Sequence, residues 1–389
     1  MEEESIMKER VAIVGIGVTG FSSVSPSLSF KELTYTAAVK AYHEAGLHPK
    51  EIDSFITASE DFMEGYSIFD EYVPDQMGAV MRPVQTVTAD FIQALGIGCM
   101  MINTGRFRTI AVEAHSKASN VKTLNEVKAF ALDPVYIRPL KENADFLAGL
   151  EMKRFLEETG NTEEQCAEVI VKNKANALNN PYAAHAASLT IDDVLSSPPI
   201  SLPLKELDAA KPADGAIMIV LASEKEAKAL CKKPIWIRGI SWFSGQGNPW
   251  CRDFAYADYA QLAAQKAFAM AGIANPLKDL DFAEICDEYS YKELQHLESI
   301  GIARKGEAGF LTQTGVTKLG GLLPVNVSGG SLGVGHTYEA SGGMKVVEAV
   351  MQLRHEAGIR QIPNAKTGLV QSWRGVPTAT GAIALLSNE

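Results

Sequence analysis

Val325–Gly342, VNVSGGSLGVGHTYEASG, sets a single histidine, His336, in a glycine-dense turn ahead of an amphipathic segment. This is how a strand-to-helix junction presents one imidazole to a ligand. Gly329, Gly330, Gly333 and Gly335 let the backbone approach a substrate closely or take positive φ. A helix beginning near Glu339 would turn its positive end toward the same space. A packing turn also uses glycines, but Gly-His at a helix start points to proton transfer.

Outward from that turn, short apolar runs alternate with helix-period segments. The runs VAIVGIG (11–17), IDSFITAS (52–59), TIAVEA (109–114) and GAIMIVLAS (215–223) predict buried strands, and TYTAAVKAYHEAG lies between the first two as a helix. The order predicts an α/β chain. The rhythm then repeats with IWIRGISW (235–242), a helical YAQLAAQKAFAMAG (259–272) and a closing GAIALLS (381–387). Two similar halves meeting near 224–234 are expected, with equivalent turns face to face. The first half carries extra material from about 119 to 203, which predicts a lid over the substrate or a dimer-stabilising excursion.

With 389 residues and 46% hydrophobic composition the chain is long enough for a large duplicated core. A net charge of -11 and no basic cluster exclude a nucleic-acid surface. No apolar run approaches the ~18 residues that span a bilayer, and MEEESIMKER lacks a secretory pattern, so a soluble cytoplasmic chain is expected. Cys99, Cys166, Cys231, Cys251 and Cys286 show no CxxC spacing, which predicts reduced, mostly buried thiols and no zinc site.

The run GGSLGVGHTYEASGGMKVVEAVMQLRHEAGIRQ (329–361) resembles the NPSGG…GHPxGATG…QLRGxAGxRQ segment of the thiolase superfamily. The run FAEICDEYSYKELQHLESIGIARKGEAG (282–309) resembles the segment bearing NEAF or HDCF in that family. NNPYA (179–183) and RDFAYADYAQLAAQKAFAMAGI (252–273) suit its sterol-carrier-type branch. The resemblance implies the thiolase fold: two duplicated βαβαβαββ halves, 1–224 and 234–389, in a five-layer αβαβα arrangement, with 119–203 inserted in the first. It also implies that His336 is catalytic, with the Gly335 and Gly375 backbone serving an oxyanion.

The departures from the family pattern bear on mechanism. TADFIQALGIGCMMINTG (88–105) puts Thr88 where the nucleophilic cysteine belongs, with Asp90 as a nearby base or helix cap. Cys99 lies about three turns further on. The second family cysteine is replaced in LVQSWRGVPTATG (369–381) by Ser372 or Trp373, and the Asn or His that binds the thioester oxygen by Cys286. Tyr289 and Tyr338 are candidate general acids, although Tyr289 also suits the core. Phe91, Ser328, Gly329, Gly330 and His185 are candidate substrate or coenzyme A contacts. His43, His296 and His355 read as surface or half-buried, and His115 as a strand-end residue that could reach the site.

Acyl-cysteine chemistry is therefore not available. The resemblance leaves thiolysis of a bulky or aromatic β-ketoacyl-CoA by free CoA, with His336 deprotonating the thiol. It also leaves retro-aldol cleavage of a β-hydroxyacyl-CoA, or a non-catalytic acyl-CoA-binding scaffold. EDFMEGYS (60–67), EAHSKAS (113–119) and DPVYIRPL (133–140) resemble the thiolase-like subunits of anaerobic acyl-CoA degradation, as in toluene breakdown, and favour the first. The implied assembly is a homodimer joined by a small zinc-ribbon/OB-fold subunit into a heterotetramer. Coenzyme A enters as substrate, no cofactor is covalently bound, and zinc is expected only in the partner.

Overall fold

The computed structural model describes residues 9–60 and 68–389, so positions 61–67 of EDFMEGYS lie outside the described residues. The strands are β1 Val11–Val18, β2 Ser54–Ala58, β3 Val84–Val87, β4 Thr109–Ser116, β5 Pro199–Ser201, β6 Leu204–Lys205, β7 Gly215–Ser223, β8 Ile235–Ser244, β9 Phe282–Glu284, β10 Thr367–Trp373 and β11 Thr380–Ser387. Nine form one mixed sheet in the order β3-β2-β4-β7-β1-β8-β11-β10-β9, while β5 and β6 pair apart. Its centre is the antiparallel contact of β1 with β8, which spans only Ala12↔Trp236 and Ile13↔Ile235. Outward from it, both sides run through antiparallel partners to a parallel pair, β2 with β4 on one side and β9 with β10 on the other.

Three large apolar clusters hold the helices to the sheet. Phe30–Ala45 covers β1 and β7 on one outer face, entered through a Ser29–Glu32 capping box. Phe91–Asn103 and Ser341–Arg354 pack together in the middle and touch strands from both sides of the β1/β8 contact. Asp258–Ala271 covers β8 and β11 on the other outer face, with Ser290–Ile300 beside it. Because both faces are covered, β7 is buried at every residue, which is why its sequence runs apolar without alternation.

Much of the inserted stretch is wall rather than cover. Its helices Asp145–Thr159 and Glu163–Ala177 bury Ser290–Ile300, and Glu163–Ala177 also packs against the short helix Gly330–Val334. The seam between them is polar. Glu293 accepts hydrogen bonds from Lys172 Nζ (2.7 Å), Asn173 Nδ2 (2.7 Å) and Asn326 Nδ2 (2.7 Å).

Two sequence expectations change here. Val325 makes only an isolated bridge to Ala283, so His336 does not follow a strand. Positive φ at Asn326, Gly329 and Gly330 ends extended backbone, and Asp287 accepts the N–H groups of Ser331 (2.6 Å) and Leu332 (3.2 Å), which nucleates Gly330–Val334. A 3-10 turn, Tyr338–Ala340, then leads into Ser341–Arg354. His296 is fully buried rather than near the surface, because Ser290–Ile300 is covered on every side. Its ring bonds the Tyr259 hydroxyl (2.9 Å) and the Cys286 carbonyl (3.1 Å).

Removing one partner from a buried ion pair strands the other charge. Glu293→Ala leaves Lys172 unpaired and is expected to cost about 3–5 kcal/mol in urea unfolding, most of it regained when Lys172→Met is added to Glu293→Leu. A single substitution with an unchanged midpoint contradicts this account of the seam.

Candidate active site

His336 and Glu288 are set in place by one extended segment, residues 209–214. On one side Ala210 N–H donates to the Glu288 carbonyl (2.8 Å), next to the Ala209↔Tyr289 bridge. On the other, His336 N–H donates to the Lys211 carbonyl (2.8 Å) and Ala213 N–H to the His336 carbonyl (2.9 Å). The segment ends at buried Asp214, which accepts from Lys117 Nζ (2.6 Å), Ser119 Oγ (2.6 Å) and Ser25 N–H (2.9 Å). Gly335 is required beside it, since at φ +122 a Cβ would lie 2.5 Å from that of Ala213.

The two side chains meet at a cavity of about 210 Å³ walled by Val127, Lys128, Phe130 and Ala131 on one side and Arg374, Gly375, Val376 and Thr378 on another. His336 Nε2 lies 3.7 Å from Glu288 Oε1, and the Tyr338 ring stands edge-on to the imidazole at 4.4 Å. Tyr338 also lines the cavity, held there by a left-handed φ of 51°. Gly375, at φ +88, gives the Glu288 carboxyl its room: a Cβ would sit 2.9 Å from Oε2.

Burial drives the pair apart electrostatically. It holds the His336 imidazole well below its ordinary range, and the charges of Lys128 and Lys345 add to the effect. It pushes the Glu288 carboxyl up to about 7, with Lys128 opposing and Asp145 adding. The ring is thus neutral near pH 7 and the carboxyl carries a proton part of the time, so the 3.7 Å contact is no ion pair. An unprotonated base faces a protonated acid across one cavity, the arrangement that proton transfer at neutral pH needs.

Of the residues singled out from the sequence, His336, Tyr338 and Gly375 line this cavity, with Gly335 directly behind His336. Others do not. Thr88 is exposed in the bend after β3. Asp90 caps Phe91–Asn103, accepting from Ile92 N–H (2.9 Å) and Gly342 N–H (2.9 Å), and burial raises its carboxyl to about 6. Phe91 lies in the central core beneath Gly343. Cys286 is buried with its thiol pushed up to about 12, and its N–H donates to Gln371. The Tyr289 hydroxyl donates to Asp145 (2.7 Å) while its ring packs on Trp373. Ser372 is buried and helps lower the Asp90 carboxyl. Ser328 donates to Glu284 (2.5 Å), and the Gly329 and Gly330 backbone packs on Ala177 and Asp287. The His185 ring bonds the Pro212 carbonyl (3.0 Å), bracing the 209–214 segment. His115 pairs with Glu113 (2.8 Å) inside β4. Glu288, not singled out in the sequence, is the added member. Its side chain reaches the cavity, while Asp287 before it is committed to Ser331 and Leu332.

Among the described residues no group of three or more His, Cys, Asp or Glu could hold a metal, and no helix is long and apolar enough to cross a membrane.

Residues 250–388 match the family described as Thiolase C-terminal domain-like. The chain has the thiolase fold. It is 29% identical to the acetyl-CoA acetyltransferase of Methanothermobacter thermautotrophicus, over 97% of this chain and 99% of that one. It is 33% identical to benzoylsuccinyl-CoA thiolase subunit BbsB of Thauera aromatica, over 53% of this chain and 54% of that one. The solved Ltp2-ChsH2(DUF35) aldolase superimposes with a TM-score of 0.83 at 25% identity, covering 97% of each chain. The relationship is thus to the thiolase superfamily at low identity, among both acyltransferases and aldolases.

Two outcomes follow from the site's construction. Gly375→Ala forces an alanine to φ +88 against Glu288, and is expected to displace that carboxyl in a crystal structure and cut turnover at least about tenfold. Because Asp90 and Glu288 are raised in the folded chain, their stabilising contribution is full below the unfolded carboxyl range, about pH 4, and is lost as pH rises through about 6 and 7. Glu288→Gln should therefore flatten the fall in melting temperature between about pH 5 and 8, and an unchanged slope contradicts the raised carboxyl.

Proposed function

We propose that this chain cleaves, or in reverse forms, the Cα–Cβ bond of a CoA thioester without an acyl-enzyme, by retro-aldol cleavage of a β-hydroxyacyl-CoA. The observation that carries the reading is the His336–Glu288 pair facing a cavity with no cysteine among the described residues that line it. Neutral His336 takes the β-hydroxyl proton. The carbon–carbon bond then breaks, releasing a ketone or aldehyde, and its electron pair becomes the enolate of the remaining thioester. Protonated Glu288 returns a proton to Cα, with Tyr338 beside the ring as a second donor. Gly375 and Tyr338 shape the pocket in which this occurs.

Thiolysis by free CoA is the second reading, supported by the 33% identity to the BbsB subunit over half the chain. Without a cysteine to hold the acyl group between two steps, thiolysis must bring CoA and a β-ketoacyl-CoA to the site together. Retro-aldol cleavage needs one thioester and no second substrate at the pair. In either reading we propose a homodimer working with a smaller second subunit. Relatives whose names join two proteins, or that are called subunits, support the second subunit.

Incubation with β-hydroxyacyl- and β-ketoacyl-CoAs, with and without CoA, separates the readings. Release of ketone or aldehyde that ignores added CoA is expected, and cleavage that requires CoA overturns the aldol reading in favour of thiolysis. His336→Ala should lower turnover by about 10²–10⁴-fold, whereas a scaffold would show no turnover to lose.

A further inference from the structure

We infer that Lys128, on the short helix Leu124–Ala129 of the inserted stretch, is the cation that receives the enolate oxygen formed at the thioester carbonyl. The inference rests on the carbon–carbon cleavage reading above. Enolate formation places negative charge on the thioester oxygen, and Cys286, buried away from the cavity, cannot donate a strong hydrogen bond to it.

The charged groups of the cavity narrow the choice. Arg374 is in an ion pair with Glu60. Among the described residues, Lys128 Nζ reaches only Asp145 Oδ1, at 3.8 Å, and that same oxygen already accepts the Tyr289 hydroxyl at 2.7 Å. An ammonium has three donors, so Lys128 faces the cavity with hydrogen bonds to give. Lys345, the other cation whose field reaches His336, is fully buried under the loop, donates to Ser331 Oγ (3.1 Å) and lies 3.9 Å from Asp287. Lys128 lines the same cavity as His336 and Glu288, and its field lowers both groups. The groups facing the imidazole are thus Glu288, Tyr338 and Lys128, with the Arg374–Glu60 pair on the same cavity and Lys345 acting only through its field from beneath the loop.

Acetyl-CoA in D₂O isolates this step. Ionised Glu288, the group that returns the proton in cleavage, takes a methyl proton, the C–H electron pair becomes the C=C bond while the C=O π pair moves to the oxygen, Lys128 donates a hydrogen bond to that oxygen, and a solvent-derived deuteron returns to carbon. Mass spectrometry reads the label. The full-length wild-type protein is expected to exchange, Lys128→Met to lose about 10²–10³-fold of that rate with acetyl-CoA affinity kept within a few-fold, and Lys128→Arg to keep an intermediate rate. Loss of the positive charge should also move the pH profile of the residual exchange to higher pH, because it releases His336 and Glu288 upward. Circular dichroism checks that the variants fold. Exchange at the wild-type rate in Lys128→Met, or a loss seen only in acetyl-CoA affinity, overturns the assignment. Failure confined to acyl groups that carry a carboxylate, with acetyl-CoA exchange intact, overturns it too and makes Lys128 a specificity residue. A wild-type protein that exchanges nothing overturns the cleavage reading itself.

Discussion

The hydrogen bonding of residues 209–214 to two loops at once is the constraint on which the site depends. Glu288 follows β9 and His336, 48 residues later in the chain, follows a short helix, yet both backbones are fixed to one segment running directly into buried β7. Asp214, with Lys117 and Ser119 closed around it, fixes the far end of that segment. An acid and a base held this way keep their separation without a direct bond between side chains, and that leaves both free for a substrate.

The same economy explains the buried polar seam. Asp287 and Glu288 are neighbours with opposite duties: Asp287 faces inward and caps Gly330–Val334, and Glu288 faces the cavity. Lys172, Asn173, Glu293 and Asn326 tie the inserted helices to the same loop. A charge network of this kind adds little net stability over an apolar seam, but it fixes one register of the loop. Another part of the insertion, Leu124–Ala129, contributes a cation and apolar cover to the cavity.

Much of the fold could be read from periodicity, because buried parallel and antiparallel strands leave apolar runs that no surface element would carry. VAIVGIG, TIAVEA and GAIMIVLAS all became strands within a few residues of their runs. The histidine turn was legible through its glycines and its family resemblance. What could not be read was direction. Nothing in FAEICDEYSY says that Glu288 reaches the cavity while Cys286 and Tyr289 turn into the core, since that depends on which neighbour each side chain meets. Phe91 suits an aromatic acyl pocket by residue type and His185 a substrate contact by its place in the insertion, and the structure commits Phe91, Ser328 and His185 to packing, to Glu284 and to Pro212. His296 was misjudged because a charged helix pattern normally marks a surface, and here the inserted helices supply partners for the charges.

The central claim is carbon–carbon cleavage by an acid–base pair with no covalent acyl-enzyme. Intact-protein mass spectrometry on enzyme quenched during turnover tests it most directly. The account predicts an unmodified mass throughout, while an acyl adduct that maps to a cysteine and is replaced when CoA is added would contradict it.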